Sequence, residues 1–232
     1  MAAIQDSAAA TQGAYEPAGR LVPVLAASDC VDAPGLALRM GRFAASLGET
    51  VLIIDDRDGA VMDRAGVVHG RTLEDMVAGR CALRDCLYVT SNEHFSMTAL
   101  GGLPLIEAVG TLAALSLQFD WVFAVPRAGL RQPVACLASG SDATVMAYST
   151  EGEHYMRAYW MLDAIRARNP RFDAHTVSCG DPARAVETAL ALEAVVRDHI
   201  GGPAGYAGHE SDRDRVENLL DSMRRATRRA AA

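Results

Sequence analysis

The sequence predicts an α/β protein: a doubly wound, mostly parallel sheet in a single domain. Three observations predict it. Short apolar runs alternate with longer segments of helical period from Leu21 to Gly201. The run VLIID at 51–55 is apolar at every position before its closing acid, as a parallel strand covered on both faces requires. The chain has 232 residues, 50% hydrophobic and 22% charged, which is enough to build one sizeable core.

Taken in order, residues 1–19 are rich in Ala, Ser, Gln and Gly without a period and read as a disordered N-terminal tail. The α/β domain is assigned to 20–202. LVPVLAA (21–27) is its first strand. PGLALRMGRFAASLG (34–48) follows as a helix, with Leu36, Met40, Phe43, Ala44 and Leu47 at helical spacing. TVLIIDD (50–56) is the second strand, and TLEDMVAGRCALRDCL (72–87) reads as helical with a break at Gly79. FSMTALGG (95–102) is a strand and PLIEAVGTLAALSL (104–117) a helix. DWVFAVP (120–126) and DATVMAYS (142–149) are strands, as is FDAHTVS (172–178), with GEHYMRAYWMLDAIRARN (152–169) a helix between the last two. A long helix then opens at Asp181-Pro182 and closes at Gly201. The remaining segment, 203–232, reads as a PAGYAG linker and a C-terminal amphipathic helix carrying Val216, Leu219, Leu220 and Met223 on one stripe, with Arg224 and Arg225 near its end.

Composition narrows the chemistry. All 22 basic residues are arginine, so any mechanism that needs a lysine ammonium is excluded by inventory. The formal net charge of −7 argues against a nucleic-acid footprint. No apolar stretch reaches the ~18 residues of a membrane span and no signal-peptide layout is present, so the expected location is the cytoplasm, with recruitment to a cell pole or membrane by a partner. The cysteines Cys30, Cys81, Cys86, Cys136 and Cys179 are scattered, and neither they nor the six histidines show metal-ligand spacing. The serines lack a nucleophile-elbow context. The expectation is therefore no catalytic residue and no metal. The acids Asp29, Asp32, Asp55, Asp56 and Asp58 read as solvated loop ends in preference to a cation site or a dock for an arginine.

Five short stretches in order resemble the MinD/ParA family of P-loop ATPases, in particular its flagellar-number regulator branch (FlhG/FleN-like). They are ASLGETVLIIDDRDG, RTLEDMVAGRCALRDCL, LGGLP, FDWVFAVPRAGL and SDATVMAYSTEGEHYMRAYWMLDAI, and the resemblance covers about Leu21 to Gly201. It implies a phosphate loop with glycines, two lysines and a magnesium-binding hydroxyl. On that frame the loop falls on Ser28, Asp29, Cys30, Val31, Asp32, Ala33 and Pro34. Ser28 and Ala33 stand at the lysine positions, and Pro34 stands where the hydroxyl belongs. Val125 takes the Walker-B aspartate position and Arg57 that of the second acid after strand two, so Asp55 is the matching acid that remains. Asp56, Asp58 and Arg127 complete the edge of the site.

Physics points the same way. A free helix N-terminus attracts a phosphate, but an aspartate just before the first turn caps the helix itself and fills that place with its own charge. Repulsion of ~4 kcal/mol per close pair near a surface sets the surrounding acids against a triphosphate. The reading is thus a degenerate member of the family that lacks Walker A and Walker B residues: a pseudo-ATPase without cofactor, acting as a protein-binding scaffold or regulator in bacterial spatial organisation of a flagellar, cell-pole or partition type. Without the family's ATP sandwich it is expected to be a monomer or an ATP-independent dimer. The alternative is a divergent switch that binds ATP-Mg through backbone donors and an arginine such as Arg57 or Arg127. An enzyme of unrelated chemistry finds no residue constellation. Tyr159, Trp160, Leu219, Leu220, Met223, Arg224 and Arg225 are the candidate partner surface. Membrane contact through the last helix is disfavoured, because its acids nearly cancel its arginines and its apolar face lacks large inserting residues.

Overall fold

In a computed structural model of the chain, the residues described are 19–56, 59–89, 94–129, 131–201, 204–212 and 214–230. Seven strands form one all-parallel sheet in the order β3-β2-β4-β1-β5-β6-β7. They are β1 (Arg20–Ala26), β2 (Val51–Asp55), β3 (Ser96–Ala99), β4 (Trp121–Val125), β5 (Thr144–Ser149), β6 (Ala174–Cys179) and β7 (Gly205–His209). Successive side chains point to opposite faces of a strand, so each central strand feeds two cores. In β1, Leu21 and Leu25 enter one core and Val22, Val24 and Ala26 the other. Pro23 cannot donate to a ladder, and it sits where the pairing of β1 passes from β4 to β5.

The first face is covered by α3 (Leu73–Val77), α4 (Leu105–Leu115), α5 (Gln132–Ser139), α6 (Tyr155–Arg166) and α7 (Ala185–His199). The second is covered by α1 (Ala33–Ser46), α2 (Ala60–Arg64) and α8 (Arg215–Ala230). The alternation of strands and helices follows the order expected from sequence. Two helices were not expected: α2, of five residues, and α5, of eight, each too short to display a clear period. The helix expected from Asp181 begins as a 3₁₀ turn at Pro182–Arg184.

The C-terminal segment differs from its sequence reading. The glycine-rich stretch taken as a linker contains β7, an edge strand paired to β6 across an irregularity at Thr176/Val177. Gly208 adopts φ +121°, and a Cβ there would meet the Asp212 carboxylate at 2.8 Å. Glycine is thus required by the strand end rather than by mobility. The stripe of α8 is core: Val216, Leu219, Leu220 and Met223 are buried against α1 and the second face of the sheet. Arg224 pairs with Glu49 at 2.5 Å and Asp221 at 2.6 Å and lies 5.6 Å from the Trp121 ring. The stripe and Arg224 are thus turned into the fold, which corrects the assignment of Leu219, Leu220, Met223 and Arg224 to a partner surface. Arg225 is exposed. Among the described residues no helix is long and apolar enough to cross a membrane.

Candidate functional site

Ligands of open α/β sheets bind beyond the carboxyl ends of the strands, near the central strand where the order reverses direction. Here that place is the turn from β1 into α1. The Ala27 N–H continues the ladder by donating to the Ala147 carbonyl at 2.9 Å, and the Val31 N–H turns back to the Ser28 carbonyl at 3.2 Å. Ser28, Val31, Ala33 and Pro34 are buried, whereas Asp29 and Cys30 are exposed. The Cys30 Sγ lies 3.0 Å from Ser28 Oγ and 3.8 Å from His154 Nδ1 at the start of α6.

Asp32 is the N-cap of α1. Its Oδ1 accepts the Gly35 N–H at 3.0 Å, and its Oδ2 accepts from Arg64 at 2.6 Å. A Cβ at position 35 would meet Oδ2 at 2.1 Å, so the glycine is what lets the carboxylate fold over the helix end. The carboxylate therefore stands where an anion would be drawn by the helix amides and dipole, with a guanidinium already on it. A shallow, open pocket of about 340 Å³ remains beside it, with Cys30, Pro34, Ala60 and Arg64 on its walls.

Among the described residues, the other sequence-selected positions do not converge on that pocket as a ligand set. Asp55 is 1% exposed, and its Oδ2 accepts the Val61 and Met62 N–H groups at 2.6 and 3.4 Å, so it caps α2. Val125 is fully buried in the second core. The Asp56 N–H donates to the Val125 carbonyl, and the Asp56 carbonyl accepts from Arg127 Nε at 3.2 Å. Burial raises the Asp56 carboxyl above its ordinary range despite the nearby Arg127. Arg57 and Asp58 lie outside the described residues. No group of three or more His, Cys, Asp or Glu side chains among the described residues is arranged to hold a metal ion. The acids expected as solvated loop ends are, for Asp32 and Asp55, helix caps.

The ends of β5, β6 and β7 are tied to one another. Thr150 Oγ1 accepts the Asp181 N–H at 2.8 Å, Glu210 Oε1 accepts the Gly180 N–H at 2.7 Å, and His209 Nε2 lies 3.2 Å from the Gly180 carbonyl. The buried Arg215 donates to the His209 carbonyl. Between them burial pushes the Cys179 thiol up to about 12, with Glu210 adding to the effect. Tyr159 is half-buried against the first core, with its ring edge-on to His199, while Trp160 is 57% exposed.

Two features escaped the sequence reading. Arg64, 32 residues from its partner Asp32, carries no local signal of that pairing. A second cavity, of about 290 Å³, lies between Asp56, Gly101–Leu105, Arg127, Arg131, Pro133 and Val134. Only the LGGLP stretch, where β3 turns into α4, marks it in sequence.

No known protein family and no curated protein matches the sequence. Solved structures do match. The MinD cell division protein of Aquifex aeolicus superposes with a TM-score of 0.67 at 15% identity, over 90% of this chain and 87% of that one. A plasmid partition protein of Borrelia burgdorferi superposes with a TM-score of 0.65 at 10% identity, over 89% and 98%. Cobyrinic acid a,c-diamide synthase of Mycobacterium smegmatis, solved with bound ADP and magnesium, gives 0.66 at 16% identity, over 89% and 94%. The fold is that of the MinD/ParA P-loop NTPases.

Proposed function

We propose that the chain is a MinD/ParA-type protein that does not turn over ATP. It works as a protein-binding scaffold or regulator in the spatial organisation of a bacterial cell, in a flagellar, cell-pole or partition-type process. The observation that carries this reading is the self-occupied start of α1, where the Asp32 carboxylate holds both the Gly35 N–H and the Arg64 guanidinium. The residues present do not fit a magnesium nucleoside triphosphate. The chain has no lysine, a buried proline stands at the position of the metal-binding hydroxyl, and a buried valine stands at the Walker-B position. Asp55, the matching acid, is engaged as the cap of α2. A role in spatial organisation accords with a fold shared with cell-division and plasmid-partition proteins. A protein partner accords with the complex that MinD of Aquifex aeolicus forms with MinC.

Titration of the full chain with ATP and magnesium by calorimetry, with phosphate release followed in parallel, tests the proposal. The expected outcome is no saturable binding below about 1 mM and no turnover above the buffer rate. Saturable micromolar binding overturns it in favour of a nucleotide-dependent switch.

A further inference from the structure

Three of the five cysteines stand on separate elements: Cys30 in the turn before α1, Cys136 on α5 and Cys179 at the end of β6. The other two share one loop, CALRDC (81–86), which leads from α3 into a 3₁₀ turn at Leu83–Cys86. Both ends of this loop are fixed. Arg80 is held to α3 by its N–H on the Asp75 carbonyl at 2.8 Å and its Nε on Asp75 Oδ1 at 2.7 Å, which sets where Cys81 starts. After Cys86, Tyr88 exchanges two 2.8 Å backbone hydrogen bonds with Met97 of β3.

The loop is also clasped across its middle. The Ala82 N–H donates to Asp85 Oδ2 at 3.0 Å, and the Asp85 N–H donates to the Ala82 carbonyl at 3.0 Å. Residues 81 and 86 flank that clasp. Cys86 Sγ turns back toward the start of the turn, donating to the Leu83 carbonyl at 3.1 Å, and Cys81 packs against the same core that holds Cys86. The two thiols meet there, side chain to side chain. Cys86 is fully buried and Cys81 is half-buried, so solvent reaches the pair through Cys81.

We propose that Cys81 and Cys86 are a redox pair that closes to an intramolecular disulfide on reaction with a small organic disulfide. The Cys81 thiol gives its proton to solvent and attacks one sulfur of the oxidant, forming a mixed disulfide and expelling one small thiolate. Cys86 then loses its proton and attacks the Cys81 sulfur, so the Cys81–Cys86 bond forms and the second small thiolate leaves. The protein gives up two electrons and two protons, and the oxidant is released as two thiols. Burial raises the Cys86 thiol, which leaves Cys81 as the point of attack and Cys86 as the resolving group. Its contact with Cys81 makes the second step intramolecular and fast relative to attack by another free thiol. Closure ties the loop to α3, whose Glu74 accepts the Gly102 N–H at 2.8 Å. The pair is independent of the β1–α1 turn and of the reading of that turn as closed to ATP.

The test equilibrates the full reduced chain with glutathione over a range of reduced-to-oxidised ratios, followed by acid quenching, alkylation and mass spectrometry. The expected product lacks two hydrogens. Trypsin cuts after Arg84, between the two cysteines, so the bridge is expected to join two peptides that separate on reduction. Closure is expected to be independent of protein concentration and to slow amide exchange across residues 73–87. Cys81→Ser is expected to abolish the bridge and leave Cys86 reduced, Cys86→Ala to leave glutathione on Cys81, and Cys30→Ser to leave the bridge unchanged. A lasting glutathione adduct on Cys81 of the natural chain overturns the proposal. So do a pair still reduced where Cys30 is fully modified, a bridge from Cys81 to Cys30 or Cys136, and closure that occurs only with loss of the near-ultraviolet circular dichroism of the folded chain.

Discussion

At the start of α1 the Asp32 carboxylate holds the Gly35 N–H and the Arg64 guanidinium, whereas α4 and α5 open at Pro104 and Arg131 onto a cavity with no side chain across their first turns. Both places lie at the same carboxyl edge of one sheet, and each helix starts with amides that have no partner within the helix itself. The difference is made by the residue that precedes each helix. An aspartate supplies the anion internally at α1, whereas α4 and α5 have no side-chain cap.

Three perturbations break or sharpen this contrast. The largest effect is expected at Leu220, fully buried where α8 backs α1. Leu220→Ala is expected to cost about 2–5 kcal/mol in chemical unfolding, because a buried leucine leaves a cavity that packed neighbours fill only in part. A loss under about 0.5 kcal/mol would detach α8 from the core, and with it the rigid seating of α1 on which the closed turn depends.

Asp32→Ala removes the cap and strands Arg64, at an expected cost of about 1–2 kcal/mol. Arg64→Ala removes only a partly exposed ion pair and is expected to cost no more than about 1 kcal/mol. A double-mutant cycle by urea unfolding measures their coupling, and a neutral Asp32→Ala would show that the turn is not closed by this carboxylate.

The smallest effect is expected from Asp56→Asn at the open cavity. Burial raises the Asp56 carboxyl in the folded chain above its unfolded value, so the folded state favours the proton. Stability contributed by that preference is present below the unfolded value and is lost as pH rises through the folded one. The variant is therefore expected to melt slightly above the natural chain at neutral pH and level with it near pH 3. A lower melting temperature at neutral pH would mean that Asp56 is held ionised by Arg127 and Arg131.

Much of the fold was legible because the signals are local. VLIID suits a strand covered on both faces, and VDAPG carries its capping aspartate, its first-turn proline and the glycine that admits the carboxylate within five residues. What escaped was of two kinds. Elements too short for a period, α2 and α5, and a strand built on glycine, β7, lack the pattern that identifies longer ones. The stripe of α8 was visible as amphipathic, but periodicity does not say whether an apolar face meets a partner, a lipid or its own core, and here it meets α1.

By itself the sequence determined the alternating α/β order, the absence of any lysine ammonium and the capped start of α1, since each follows from composition or from residues within one turn of each other. Only the tertiary structure decided that Arg64 closes on Asp32, that Asp55 caps α2, that the C-terminal helix is core, and that Arg127 and Arg131 stand over an apolar cavity beside Gly101 and Gly102. Apart from the cap of α2, which spans six residues, these are contacts between residues far apart in the chain. They exist because parallel strands need crossover connections, which bring successive strand ends together at one edge of the sheet.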